Sequence, residues 1–480
     1  MNSLFKNSVY YVMYRIINVI YPLLTATYVS RVLKPSGVGE AALAQNIVIF
    51  LVALAMLGIP NYGVREISIC KSSSLNTLFS ELFLINAIST TIISVIYIEV
   101  INVFDMPINT KLYNIYGIIL VLNIFNVDWF YQAKEEFKYI TIRSAIVKLS
   151  SMLAIFTLVK DEKDICMYGL IFALAYAGNY VFNVVNLKRY IKFTFRNLHI
   201  KRHLRNIFVL GVTSISNEIY VMLDSLMLGV LATNTELGYY TNSIKLVRIL
   251  INVVTAMGTV LLPRLSKIKE EKDSLLYNSI LDRVVKILLW VTIPCTLGIL
   301  LLAESINVVL FGNSFLAAAD ILKILSLLII PRAFSNIMLQ VLICMNKDTS
   351  TSKIYFSGML INCMLNMILI PVNGAQGAAV ASVISEICIC FVLFHFAKHK
   401  IKVHINFQFI VSVIFAATIM TILVLAARNS MSVMECSSFA ILFINISIGV
   451  ISYAVVSLIL RNEIALFLTS KLIKKLRYRK

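Results

Sequence analysis

The stretch DWFYQAKEEFKYITIRSAIVKL, residues 128–149, gathers an acid, several aromatic rings and a run of mixed charge between two long apolar segments. Its first residues read as the end of one membrane span: Asp128, Trp129, Phe130 and Tyr131 have the composition of an interfacial aromatic belt, with Lys134 to Arg143 as the cytoplasmic loop that follows. Outward from this boundary the whole chain has the same character. Of 480 residues 59% are hydrophobic and only 14% charged, a balance far from that of soluble globular proteins. Apolar runs long enough to cross a hydrocarbon core of ~30 Å recur along it.

Segmentation by hydropathy predicts fourteen spans, at 9–33, 41–59, 79–101, 113–130, 142–159, 165–187, 207–230, 239–262, 284–311, 318–345, 354–371, 377–396, 407–427 and 437–460. The first is expected to stay as a helix, because it carries Arg15 within its apolar stretch and has no Ala-x-Ala exit. With the N-terminus cytoplasmic, the inner loops hold most of the 43 Lys and Arg, while the outer side holds Lys34, Lys111, Lys160, Lys163 and Arg428. That bias predicts both termini inside. The net charge of +19 is thereby explained by membrane lipids and calls for no nucleic acid; the connector RYIKFTFRNLHIKRHLRN (189–206) and the tail KLIKKLRYRK (471–480) face anionic headgroups.

The eight cysteines are scattered and read as free apolar fillers, without metal-site spacing. The histidines, His199, His203, His395, His399 and His404, lie in or beside basic inner loops, and KDEKD (160–164) reads as a solvated hairpin, so no metal site and no cofactor is expected. The outer loops are too short to house a glycosyltransferase or polymerase site, and no catalytic constellation converges, so the chain is not expected to be an enzyme.

A shift of 199 residues places Asn18-x-x-Tyr21 on Asn217-x-x-Tyr220, Gly39 on Gly238 and Arg65 on Arg264. Transporters are commonly built from such related halves around a midplane site. The predicted organisation is an all-α polytopic membrane protein with an N-lobe at 1–187, a basic connector at 188–206, a C-lobe at 207–396, two added spans within 407–461 and a basic tail at 462–480. Ionisable groups at membrane depth are costly and mark pathways. Arg15, Lys245, Arg248 and Arg332, the last after a helix-distorting Pro331, are the candidate cations for an anionic cargo. Arginine offers a forked pair of donors to phosphate, and lysine a point charge. Asp224, Glu218, Glu386 and Asp128 are candidates for ion pairs or for coupling to protons or sodium. The in-span amides, Asn86, Asn123, Asn183, Asn362 and Asn366 among them, read as bridges between helices.

LGIPNYGVREIS (57–68), DWFYQAKEEFKYITIR (128–143), LLPRLSKIK (261–269) and NGAQGAAVASVISE (373–386) resemble the flippases of bacterial polysaccharide synthesis, the O-antigen and capsule repeat-unit translocases. These belong to the multidrug/oligosaccharidyl-lipid/polysaccharide exporter superfamily. Ala133 stands where many relatives carry glycine. The resemblance implies a MATE-like two-lobed bundle of twelve spans plus two, and the transfer of an undecaprenyl-pyrophosphate-linked oligosaccharide across the plasma membrane by alternating access through a cationic cavity. It implies Arg15 and Arg248 as ligands of the pyrophosphate, Arg65 with Glu66 as a gate, and a polymerase and chain-length machinery as partners. A multidrug exporter of the same architecture would need an acidic, aromatic site instead, and a scaffold without transport would tolerate Leu at the embedded arginines.

Overall fold

The computed structural model describes residues 2–71, 73–103, 108–194, 196, 198–270, 274–344, 348–398, 406–431 and 437–477. Side chains are described within these except at 2–9, 11–12, 15–16, 213–214, 216–217, 220, 256–270, 274–275, 343–344, 348–350, 352, 431 and 472–477. The described chain is α-helical throughout, with short 3-10 turns and no strand. In order the helices are α1 (Asn2–Met56), α2 (Ile59–Ile69), α3 (Leu75–Val103), α4 (Thr110–Leu122), α5 (Asp128–Ala133), α6 (Phe137–Leu158), α7 (Ile165–Leu187), α8 (Lys201–Leu231) and α9 (Asn234–Glu270). Then follow α10 (Ser274–Phe311), α11 (Ala318–Ser326), α12 (Ile329–Cys344), α13 (Asp348–Ala397), α14 (Phe407–Met431), α15 (Ser438–Ile459) and α16 (Glu463–Arg477).

Among the described residues nine helical segments are long and apolar enough to cross a membrane. Two of them each carry a pair of expected spans. In α1 the pair is divided at Lys34 (φ 57°), next to Pro35, whose ring crowds the preceding residue out of helical geometry. In α13 the division falls at Gly374 (φ 51°, ψ −129°), a conformation open only to glycine. Hydrocarbon solvates every backbone polar group poorly, so helices are the natural way to span it.

The chain forms two compact units, residues 1–241 and 242–480. In the first, α1 packs on α6 and α8, and α4 on α7. Gly39 and Gly238, the glycines that the 199-residue shift aligns, meet backbone to backbone: a Cβ on Gly238 would lie 2.0 Å from the Pro35 carbonyl oxygen, and one on Gly39 2.8 Å from the Gly238 nitrogen. In the second unit α14 and α15 pair and cover α10, burying Ala416, Ala417, Met420, Leu442 and Tyr453. Lipid tails are as apolar as leucine, so small side chains that allow close approach and amides that bond across helices hold such bundles together. Ala375, Ala378, Ala379 and Ala381 of α13 are fully buried accordingly. Asn86 donates to the carbonyls of Asn123 and Ile124, and Asn362 donates to Ser385 across the Gly374 break of α13, as expected of bridging amides, while Asn366 donates to Asn362 within one helical arm.

Two local expectations need correction. The fourth span ends earlier than 130: α4 stops at Leu122, a 3-10 turn follows, and DWFYQA forms its own short helix, α5. Its rings are no interfacial belt, since Trp129, Phe130 and Tyr131 are 0–2% exposed and lie among the largest fully buried side chains. Trp129 stacks on Phe79 at 5.3 Å, and Gly63 of the GVRE segment lies so close that a Cβ would fall 2.6 Å from the indole. Second, α6 begins at Phe137 and takes in Arg143, which is buried and not in a loop. Within the basic tail, α16 runs from Glu463 to Arg477, with Ile464 packed under α14 against Phe409 and Val413.

Candidate substrate site

Helix α9 carries Lys245 and Arg248 three residues apart, hence one turn apart on one face, and both side chains are half-buried. Arg15 lies on α1, but its side chain is outside the described residues, as is that of Arg264.

Arg332 sits in the first turn of α12, after the two-residue break that separates α11 from α12. Pro331 therefore distorts no helix interior; it occupies a first-turn position where its missing N–H costs nothing. The structure joins Arg332 to Glu386: the guanidinium Nη1 donates to Oε2 at 2.7 Å, and the carboxylate side chain is 2% exposed. The guanidinium also lies 5.8 Å from the Tyr355 ring centroid. The α12 cation and the α13 acid compensate one another.

Asp224, on α8, is buried and accepts a 2.6 Å hydrogen bond from the Tyr240 hydroxyl, while Glu218 lies half-buried on the same helix. Arg65 and Glu66 approach to 3.6 Å, but the arginine side chain is 69% exposed. A pair between consecutive residues of one helix joins no second element, and exposed pairs contribute little.

Asp128, first residue of α5, bonds to Arg143 of α6 at 3.0 Å and accepts 2.6 Å from Asn183 of α7. Arg143 also donates to Asn179 and Asn183, and lies 5.5 Å from the Tyr139 ring centroid. Three helices are tied by one half-buried ion pair wrapped in amides. A groove of about 350 Å³ lined by Lys138, Tyr139, Arg143, Ile146 and Phe182 borders this network.

Reasoning from sequence missed a second cluster. Glu81, fully buried in α3, accepts from the His199 backbone N–H (2.6 Å), Arg202 Nη2 (2.6 Å) and His203 Nε2 (2.8 Å). The other ring nitrogen of His203, Nδ1, meets the Tyr62 hydroxyl at 2.8 Å. Burial, reinforced by the nearby Glu66 carboxylate, raises the Tyr62 phenol above its usual pKa and keeps it a neutral donor. Lys192 N–H to Asn76 and Thr194 N–H to Ser80 complete a seam along α3, so the connector's described residues are stitched to that helix. Glu81 inside an expected span was the available signal. Lys148 in α6 was another. Among the described residues no three His, Cys, Asp or Glu side chains converge as metal ligands.

Multiple long apolar helices and embedded, mostly compensated charges define a multi-pass membrane protein of transporter architecture. A solved lipid II flippase MurJ in an inward-closed conformation superposes with a TM-score of 0.79 over 94% of this chain and 98% of its own, at 14% identity. An inward-facing multidrug resistance MATE family transporter of the MOP superfamily gives 0.65 over 82% and 98%, at 13% identity. At such identities the likeness shows the fold. The family model described as polysaccharide biosynthesis protein matches residues 4–269, and that of lipid II flippase MurJ matches 167–449, each more than half of the chain. The chain belongs to the polysaccharide biosynthesis protein family. A "Putative O-antigen transporter" of Escherichia coli (strain K12) is 24% identical over 83% of this chain and 97% of that protein. The "Probable low-salt glycan biosynthesis flippase Agl15" of Haloferax volcanii is 23% identical over 52% of each.

Proposed function

We propose that this chain moves an undecaprenyl-pyrophosphate-linked oligosaccharide repeat unit from the inner to the outer leaflet of the bacterial plasma membrane, for O-antigen or capsule synthesis. The observation that carries the reading is the Lys245 and Arg248 pair, stacked one turn apart on α9 at half burial. A pyrophosphate cannot cross hydrocarbon at a useful rate, because desolvating an ion there costs many kcal/mol. Fixed cations in a wet cavity lower that barrier while the polyprenyl chain stays in lipid. Arg248 supplies a fork for phosphate oxygens and Lys245 a point charge. Arg332 is engaged by Glu386, so it acts when that pair opens.

Binding alone moves nothing in one direction, since a carrier with equal affinity on both sides shifts no equilibrium. We assign coupling to protons or sodium at an embedded acid, Asp224 or Glu386, and assembly with a polymerase and chain-length machinery downstream. Relatives named as O-antigen transporters and glycan flippases support this reading. The test is restoration of surface polysaccharide in a strain lacking its own translocase. Wild type should restore polymer, Arg248→Lys partly and Arg248→Ala hardly at matched expression. Full restoration by both variants would overturn the site, and no restoration by wild type with a matched glycan would overturn the function.

A further inference from the structure

We infer that Lys148 of α6 is an oxyanion-binding side chain for the cargo; this rests on the flippase reading and deepens it. Lys148 stands eleven residues after Phe137 and ten before Leu158, so about 15 Å of helix separates it from either end of α6. That is further than a lysine can snorkel. The exposed stripe of α6, Ile142, Ile146, Leu149 and Leu153, marks the lipid side, and Lys148 points from the opposite arc, which it shares with Ser144, Ser151 and Ile155.

Its surroundings are neutral. Nζ donates to Asn18 Oδ1 of α1 and lies 5.5 Å from the Tyr21 ring centroid, and that ring is held by a 2.8 Å bond between Tyr21 Oη and Ser151 Oγ. No carboxylate among the described residues lies within ion-pair distance. Four other cations in the apolar helices differ: Arg143 has Asp128, Arg332 has Glu386, Lys286 has Asp282 and Glu463, and Lys323 has Asp320 and Glu304. An ammonium carries three donors, and Asn18 takes one. A half-buried charge kept at mid-membrane without an acid is costly unless an anion arrives to meet it.

The neighbouring helix suits a sugar-bearing ligand. On α7, Tyr168, Phe172, Tyr176 and Tyr180 recur every four residues with consecutive centroids 6.1–6.4 Å apart, on the side away from the exposed Leu174, Val181 and Val185. Aromatic bodies with polar tips are the usual lining of sites that hold amphipathic ligands. The anion is a phosphate of the lipid headgroup or a carboxylate of an acidic sugar.

The test uses the purified full chain in lipid nanodiscs with two probes: farnesyl pyrophosphate, which has no sugar, and a glucuronate-containing oligosaccharide, which has no lipid. Wild type should bind at least one, Lys148→Gln should weaken that probe at least tenfold, and Lys148→Arg should stay within about threefold. The probe that weakens identifies the anion. Protection of Lys148 from an amine-reactive reagent by the bound probe, read by mass spectrometry, needs no variant and covers the case of a misfolded one. Unchanged affinity for both probes in Lys148→Gln, absent protection, or no binding of either probe by wild type would overturn the assignment. Rescue of surface polysaccharide by wild type and Lys148→Gln alike would remove Lys148 while leaving the flippase reading intact.

Discussion

Asp128→Asn should destabilise the first unit through Arg143, and the size of the effect can be worked from the geometry. The two side chains meet at 3.0 Å with the arginine 4% and the aspartate 34% exposed. Removing one partner of a buried ion pair costs about 3–5 kcal/mol because the other charge is stranded. Here the Asn179 and Asn183 amides still hold the guanidinium and Asp128 is partly hydrated, so about 2–3 kcal/mol is expected. Arg143→Leu alone leaves a carboxylate that water can reach and should cost less. In the double variant no charge is stranded, and its loss should fall short of the sum of the singles by about 1–3 kcal/mol, the coupling of groups in one network. The assay is reversible unfolding in mixed micelles followed by Trp129 fluorescence. Single variants as stable as wild type, or a coupling below about 0.5 kcal/mol, would refute the claim that this pair ties α5 to α6.

Gly63→Val should abolish accumulation of folded protein, since even a Cβ would lie 2.6 Å from the Trp129 ring; size-exclusion of a fluorescent fusion reads this, and a monodisperse wild-type-like peak would contradict it. Gly238→Val places a side chain on the Pro35 carbonyl and should lower the melting temperature of the detergent-solubilised chain well beyond any effect of Gly298→Val, where nothing lies within 4 Å of a Cβ. Glu81→Ala leaves His203 and Arg202 without their acceptor and should expose the connector to limited proteolysis after Arg202 or Arg205, whereas an unchanged cleavage pattern would mean the seam along α3 is held by Asn76 and Ser80 alone.

The all-helical membrane architecture was legible because hydrocarbon leaves the backbone few options: long apolar runs carry that information in composition. Most expected spans lie on one helix, including the two pairs that share α1 and α13, but 113–130 breaks after Leu122 and 318–345 is divided between α11 and α12. What composition could not say was where an aromatic residue points. Trp129 and its neighbours have the makeup of a lipid interface, yet Gly63, sixty-six positions away, leaves a slot that takes the indole into the interior. Charges posed the converse problem. Arg332 and Glu386 were both singled out as costly, but that one compensates the other depends on α12 lying beside α13, a tertiary fact. Glu81 and Lys148 were visible as ionisable residues within expected spans, and the signal that would have found them was the one already applied to Arg248.

The central claim is tested most directly by reconstituting the purified chain into liposomes with undecaprenyl-pyrophosphate-linked oligosaccharide in both leaflets and measuring the fraction open to a membrane-impermeant glycosidase. The account predicts that wild-type protein takes this fraction from about half to nearly all within the assay and that Arg248→Ala leaves it near half. Vesicles in which wild type and Arg248→Ala both leave half of the glycan protected would contradict it.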